Sequence, residues 1–369
     1  MSCSEGSEQA PARPRRAPPG RAVYRIQAPI LESARLPGGH HRLVVRAPAV
    51  AGAARPGQFL HVWCHDPATI GDPPAAAVLR RPYSISRVWS QEAVEILLRV
   101  RGVGGRILAG RRVGESLDVI GPLGHGFHIP EGLRLAVIVA GGSGLAPVPF
   151  LIETLVARGA RVILLAGAAD DEQIPFAVDR PSDPDRPALS PSVPRPEGRD
   201  GGRQGDLATS LRMNSVEGTL GVRKGGQPGH ATLLALEALG AEVTFVSEAV
   251  EGLLVSDLLA ARLEELSGDG EGRSGDPPPS RAVMAIGPRA MLKRLHELTR
   301  PPAGLPLQVS LEERMACGLG ACRSCVVPVV GEQAQEGAGP RSAAVVYRTV
   351  CRDGPVFHSP EIAWELLDT

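Results

Sequence analysis

Cys317, Cys322, Cys325 and Cys351 follow the spacing C-x4-C-x2-C, with the fourth cysteine reached after 25 further residues. Thiolates at that spacing suit a plant-type [2Fe–2S] cluster. Two irons bridged by two sulfides need four thiolates, and one tight loop can supply three of them from one side. Gly318 and Gly320 allow such a loop to bend closely and leave backbone N–H groups free to bond sulfur. Cys351 would then complete the set from elsewhere in the chain. Structural zinc is the main alternative, but it usually draws on two C-x2-C-type pairs, and only one is present. Disulfides are unusual in a cytoplasmic chain. Cys3 and Cys64 stand apart, the first in an N-terminal tail and the second on a strand, where a core role is expected.

A cluster that moves single electrons needs something to exchange them with. Arg81-Pro82-Tyr83-Ser84 offers a guanidinium for a pyrophosphate, a ring to pack on a flavin and a hydroxyl for a ring nitrogen. Taken alone, the tetrapeptide also fits an ordinary strand edge. One strand later comes Gly102-Val103-Gly104-Gly105, where backbone can approach phosphate ahead of a helix expected to start at Arg106. Gly141-Gly142-Ser143-Gly144 lies between an apolar run and a helical stretch, where a phosphate or nicotinamide nucleotide can reach the backbone. It is not the G-x-G-x-x-G fingerprint, because Pro147 takes the last position, and Leu145 breaks a G-x-S-x-G elbow. Gly287-Pro288 opens a second strand-to-helix turn, expected on the same sheet edge, with a plain turn as the alternative. His125 and His128 sit in a loop and are assigned no role, because hydride transfer needs no protein acid or base.

The elements that must position these groups fall into three textures. From Ala22 to Phe127, short strands such as Gln58–Trp63 and Val94–Val100 alternate with Gly/Pro turns, which predicts a small β-barrel. Leu135–Ala140 is a continuous apolar run, as expected for a strand buried on both faces. Val162–Leu165, Val243–Val246 and Val283–Ile286 continue the series. Helices predicted near Ala146–Arg158, Leu254–Leu266 and Ala290–Leu298 separate these strands, so a parallel α/β sheet follows. The predicted fold class is therefore β plus α/β. A tail over 1–20 precedes a barrel over 21–130. An α/β domain over 131–306 carries a low-complexity insertion at 178–229 and a linker at 267–280, and the cysteine unit occupies 307–369.

Composition excludes several classes. Glycine (44) and proline (35) exceed a fifth of the 369 residues, which fits long structureless segments beside real cores. Forty basic residues balance forty acidic ones, so no global field draws nucleic acid or an anionic membrane. The uncharged stretch Leu135–Ile152 is long enough to span a bilayer, but its glycines and two prolines favour a strand, loop and helix. The N-terminus has no secretory h-region. A cytoplasmic protein is expected, with neither nucleic acid nor membrane as a partner.

In their order along the chain, these features resemble the ferredoxin-reductase-like flavoproteins. More closely, they resemble the electron-transfer subunits of NAD-linked dihydroorotate dehydrogenases. The segments that carry this are Leu311–Cys322 and Val350-Cys351-Arg352-Asp353-Gly354-Pro355-Val356-Phe357. The resemblance implies an FAD-binding β-barrel, a parallel α/β nucleotide-binding domain and a C-terminal [2Fe–2S] domain. It implies an oxidoreductase subunit of pyrimidine biosynthesis. Electrons would come from a separate FMN-containing catalytic subunit, pass through the cluster to FAD, and leave on NAD+, within a heterotetramer. Carried onto matching positions, Arg81, Pro82, Tyr83 and Ser84 hold FAD, and Leu97, Leu98, Arg99, Gly104 and Gly105 contact it. The family commonly has Thr where this chain has Gly105, Cys where it has Ile286, and an Asp-Gly-Ser-x-Gly loop where it has Ser247–Leu253. Related subunits of sulfide dehydrogenase or hydrogenase-linked complexes, or a carrier without NAD use, are the alternatives.

Overall fold

The computed structural model describes residues 22–64, 79–170, 236–248, 252, 254–268, 280–301, 305–331 and 345–367. The expected tail at 1–20, the insertion at 178–229 and nearly all of the linker at 267–280 lie outside the described residues.

Six strands close a barrel: β1 (Tyr24–Leu36), β2 (His40–Arg46), β3 (Phe59–Val62), β4 (Arg81–Trp89), β5 (Ala93–Arg99) and β6 (Ser116–Leu123). Their order is β1-β2-β5-β4-β3-β6. The two-residue period sends Leu43, Val45, Leu60, Val62, Val94, Ile96, Leu98, Leu117 and Val119 into a single core. Helix α1 (Pro48–Ala53) adds Val50 and Ala51 to that core, and α2 (Gly102–Ala109) adds Leu108.

Helix α2 begins four residues before the expected Arg106 and takes both Gly104 and Gly105 into its first turns. Glycine is a poor helix former, but larger residues would not fit here. A Cβ on Gly104 would lie 3.2 Å from the Cys64 Cβ, and one on Gly105 would lie 3.3 Å from the Arg99 carbonyl oxygen. Close approach of the helix to the barrel wall thus overrides propensity.

The second layer comprises β7 (Leu135–Gly141), β8 (Arg161–Ala168), β9 (Ala241–Ser247), β10 (Arg281–Ile286), β11 (Leu307–Ser310) and β14 (Val356–His358). Their order is β14-β11-β10-β7-β8-β9, all parallel except β14, which runs antiparallel to β11. Ala136, Ile138 and Ala140 face α3 (Val148–Ala157) through Val148, Leu151 and Leu155. Val137 and Val139 face the opposite way, toward α4 (Val255–Gly268) and α5 (Arg289–Thr299) through Leu258, Leu259, Leu292 and Leu295. Both faces of β7 are therefore buried, as its continuous apolar run requires. Each fully buried Leu of α3 contributes about 1.5–3 kcal/mol.

The cysteine region is an excursion from this sheet. β12 (Val326–Val330) and β13 (Val345–Thr349) form an antiparallel pair. The strand before the excursion, β11, joins β10, so the α/β sheet continues past residue 306. β14 returns the chain to β11, and the Leu311 N–H donates to the Pro355 carbonyl at 2.9 Å to close the neck.

Candidate functional site

The four cysteines converge on one end of that excursion, and their contacts fall into two pairs. Cys322 lies closest to Cys317 and Cys351 to Cys325, with Cys317 also within electrostatic reach of Cys351. Among the described residues, no three His, Cys, Asp or Glu side chains close on a point suited to one metal ion. Two pairs of thiols match the demand of a two-iron cluster, each iron taking two thiolates. The backbone is arranged for sulfur as well. The Leu319 and Cys322 N–H groups each donate to the Cys317 Sγ at 3.4 Å. Gly318 (φ 70°) and Gly320 (φ 83°) take the left-handed conformations that turn the loop around these thiols. Cys351 is placed by what precedes and follows it. The Val350 N–H donates to the Cys325 carbonyl at 2.8 Å, and the Asp353 carboxylate accepts from the Thr349 N–H and hydroxyl at 2.7 and 2.8 Å. The two pairs differ in environment. Hydrogen bonds from the Ser324 hydroxyl and backbone and from Cys317 bring the exposed Cys322 thiol down to about 6. Burial, then the neighbouring Cys325, pushes Cys351 up to about 12. These residues fit the cluster.

The second cradle lies on the barrel wall. Arg81, Pro82, Tyr83 and Ser84 are the first four residues of β4, all half-buried, and pair with Val62, His61, Leu60 and Phe59 of β3. The Tyr83 phenol lies beside the buried Cys64 thiol, and burial holds its pKa above the usual range. The first turns of α2 close the other side, since a Cβ on Gly104 would also fall 3.7 Å from the Arg81 Cγ. No side chain caps that helix start among the described residues, so its first N–H groups have no side-chain acceptor there. Arginine, aromatic ring and helix start therefore meet on one face of β4, with Ser84 on the alternate face, an arrangement that fits a pyrophosphate-bearing flavin. The Leu98 side chain lies in the barrel core, against which Tyr83 also packs. Leu97 packs in a different cluster, with Phe127 and Ile129, and Arg99 ends the strand half-buried.

At the carboxyl edge of the sheet, the two glycine turns interlock. A Cβ on Gly141 would meet the Met291 Sδ at 2.8 Å and the Pro288 Cδ at 3.2 Å. One on Gly144 would meet the Ile286 carbonyl oxygen at 2.4 Å, and one on Gly287 the Met291 Cε at 2.6 Å. Those three glycines serve the nesting of one turn on the other. Gly142 differs: its φ is +54° and nothing lies within 4 Å of its missing Cβ. It is the glycine of this turn that a ligand could approach, at the sheet edge where α/β folds take nucleotides.

Several contributors escaped the sequence reading. Arg80 pins three strands, donating to the His61 carbonyl at 3.2 Å, the Asp118 carbonyl at 2.8 Å and the Asp118 carboxylate at 2.7 Å. Cys64 is a buried core residue as expected, yet it also carries the Tyr83 contact. His61 is 1% exposed, and burial first, then Arg80, lowers its pKa to about 4. The alternation of β3 was the available signal for it, since Leu60 and Val62 point into the barrel and leave His61 outward. His125, left without a role from sequence, accepts a structural one: its Nδ1 lies 2.8 Å from the Arg352 carbonyl, tying the end of the barrel to the cysteine region.

Comparison with known proteins adds independent findings. Residues 312–363 match the family described as the iron–sulfur cluster binding domain of dihydroorotate dehydrogenase B. The electron transfer subunit of dihydroorotate dehydrogenase B (NAD+) from Bacillus cereus (strain G9842) is 30% identical over 327 residues, covering 87% of this chain and 92% of the relative. The subunit of the same name from Shouchella clausii is 28% identical over 326 residues, again covering 87% and 92%. Among solved structures, a chain of the NADH-dependent reduced ferredoxin-NADP oxidoreductase superposes with a TM-score of 0.58. It is 20% identical and covers 93% of this chain and 92% of its own, a likeness of fold.

Proposed function

The chain belongs to the family of dihydroorotate dehydrogenase B (NAD+) electron transfer subunits, and from that premise we propose how its residues serve the reaction. Electrons enter from a separate FMN-containing dihydroorotate dehydrogenase subunit, cross the [2Fe–2S] site and the FAD site, and leave on NAD+. The assembly is a heterotetramer working in the cytoplasm, in pyrimidine biosynthesis. When bound, FAD supplies the conversion between single electrons and a hydride pair.

The chain's own residues have separable tasks. Cys317, Cys322, Cys325 and Cys351 would hold the cluster, with the Leu319 and Cys322 N–H groups already bonding the Cys317 sulfur and the Gly320 N–H the Cys351 sulfur. Arg81 and the first turn of α2 would hold the pyrophosphate, Tyr83 the ring system, and Ser84 a polar edge of the ring. Cys64 packs in the barrel core against which Tyr83 rests. Gly142 is the point at which the nicotinamide nucleotide would approach the sheet edge, with Gly141, Gly144, Gly287 and Pro288 shaping the turn beneath it. No described helix is long and apolar enough to cross a membrane.

The observation that carries the proposal is the gathering of the cysteines around one loop, whose Leu319, Cys322 and Gly320 N–H groups donate to the Cys317 and Cys351 sulfurs, with Gly318 packed against His61 of β3. Co-expression with an FMN dihydroorotate dehydrogenase tests it. A complex containing FAD, iron and sulfide that reduces NAD+ with dihydroorotate is expected. A chain that purifies alone as a self-sufficient reductase would refute it.

A further inference from the structure

We propose that His61 is a positioning residue that holds the cysteine loop on the flavin strand and thereby governs transfer between the two cofactor sites; this rests on the electron-transfer reading above. The ring occupies the seam between them. On one side lies the loop: a Cβ on Gly318 would stand 2.6 Å from the His61 Nδ1 and 3.0 Å from its Cε1, so the ring is pressed on bare backbone next to Cys317. On the other side His61 is the cross-strand partner of Pro82, between Arg81 and Tyr83.

The choice of a histidine here is not explained by packing. The side chain is 1% exposed, and neither ring nitrogen has a hydrogen-bond partner among the described residues. The Cys317 and Arg80 carbonyls face the ring without meeting hydrogen-bond geometry. Burying two such nitrogens unpaired is unfavourable, and a leucine or phenylalanine would fill the space without that penalty. A neutral imidazole carries one donor and one acceptor. The donor has the Cys317 and Arg80 carbonyls within its surroundings, and the acceptor nitrogen has no partner among the described residues. With both sites filled, the ring would join the first cysteine of the loop to the flavin strand by polar contacts across a seam that is otherwise backbone and aliphatic carbon.

The test uses the full chain in complex with its catalytic partner. His61→Phe keeps a ring and removes both nitrogens, while His61→Gln retains a donor and an acceptor. Iron, sulfide and FAD content are measured first, then the EPR spectrum and midpoint potential of the reduced cluster. Flavin reduction is then followed after rapid mixing with a one-electron donor. In His61→Phe, with both cofactors retained, we expect an altered EPR spectrum and flavin reduction slowed about tenfold, a rise in barrier of about 1.4 kcal/mol. His61→Gln should recover most of the rate. A wild-type spectrum and rate in His61→Phe would overturn the proposal, as would a His61→Gln as slow as His61→Phe. If His61→Phe loses its iron, His61→Asn replaces it, too short to cross the seam, with the same two outcomes. A wild-type chain lacking FAD or iron would instead sink the electron-transfer reading itself. A loaded chain that reduces its flavin but takes nothing from dihydroorotate would sink only the choice of donor.

Discussion

The Gly320 N–H donates to the Cys351 Sγ at 3.1 Å, across 31 residues of sequence. This bond joins the two arms of the cysteine region, because Gly320 lies in the loop after β11 and Cys351 follows β13. The fourth thiol is thus received by the backbone of the loop that carries the other three.

Cys351→Ser removes both a thiolate and the acceptor of that bond. Iron and sulfide should fall to background while FAD stays near one per chain, because β4 and α2 are built without residues 312–354. Visible absorption with iron analysis checks this, and a parallel loss of flavin would show that the two cradles are not separable.

Gly104→Val tests the close approach of α2. Its Cβ would stand 3.2 Å from the Cys64 Cβ and 3.3 Å from its Sγ, so the added methyls must displace Cys64 or Arg81. Overpacking of this kind costs about 1–3 kcal/mol. Lower thermal stability and weaker FAD retention on gel filtration are expected, with the cluster content unchanged.

Gly144→Ala and Gly142→Ala should separate folding from nucleotide use. The first places a Cβ 2.4 Å from the Ile286 carbonyl oxygen, where backbone must move, and should destabilise the whole chain. The second meets nothing within 4 Å but must hold φ +54°, a strain of about 1–2 kcal/mol. It should fold and bind FAD, and show its defect chiefly as a raised KM for NAD+. Thermal melts and steady-state kinetics on the two proteins distinguish the cases.

Acid should weaken the barrel through Asp118. Burial opposes its ionisation, but hydrogen bonds from Arg25 and Arg80 outweigh it, so its pKa lies below the ordinary value of 3.8. A carboxyl whose folded pKa is depressed contributes stability that is present above the unfolded value and lost as pH falls through the folded one. The contribution is therefore complete at neutral pH and declines below about pH 4. Asp118→Asn should be less stable than wild type at pH 7, and the gap should narrow on acidification. Urea titrations at several pH values read this directly, and a gap independent of pH would refute it.

Much of this was legible from local pattern. The cysteine spacing announced its chemistry because ligands to one centre must recur at loop-compatible intervals, and Leu135–Ala140 announced a doubly buried strand. What stayed hidden depends on contacts distant in sequence. Helix α2 starts at Gly102 because the barrel wall excludes side chains, which no propensity reveals. Strand β13, which delivers Cys351, is exposed from Val345 to Arg348 and so carries no alternation. The membership of β11 in the α/β sheet is fixed by its pairing with β10, and Leu307–Val309 alone does not show which sheet it joins. His61 reads as one polar residue in an apolar strand until Gly318 arrives against it.

The closed neck between Leu311 and Pro355 has a further consequence. The cysteine region leaves and re-enters the molecule at adjacent strands, and His125 holds its returning arm, at Arg352 and Gly354, to the end of the barrel. Among the described residues, both arms of that attachment are hydrogen-bonded to strands or to the barrel end, which restrains the region from swinging. The gap between the two cradles is then a constant of the architecture, and passage across it waits on no diffusive step. Solvent viscosity, which slows proteins that must close before they react, should leave this internal rate untouched.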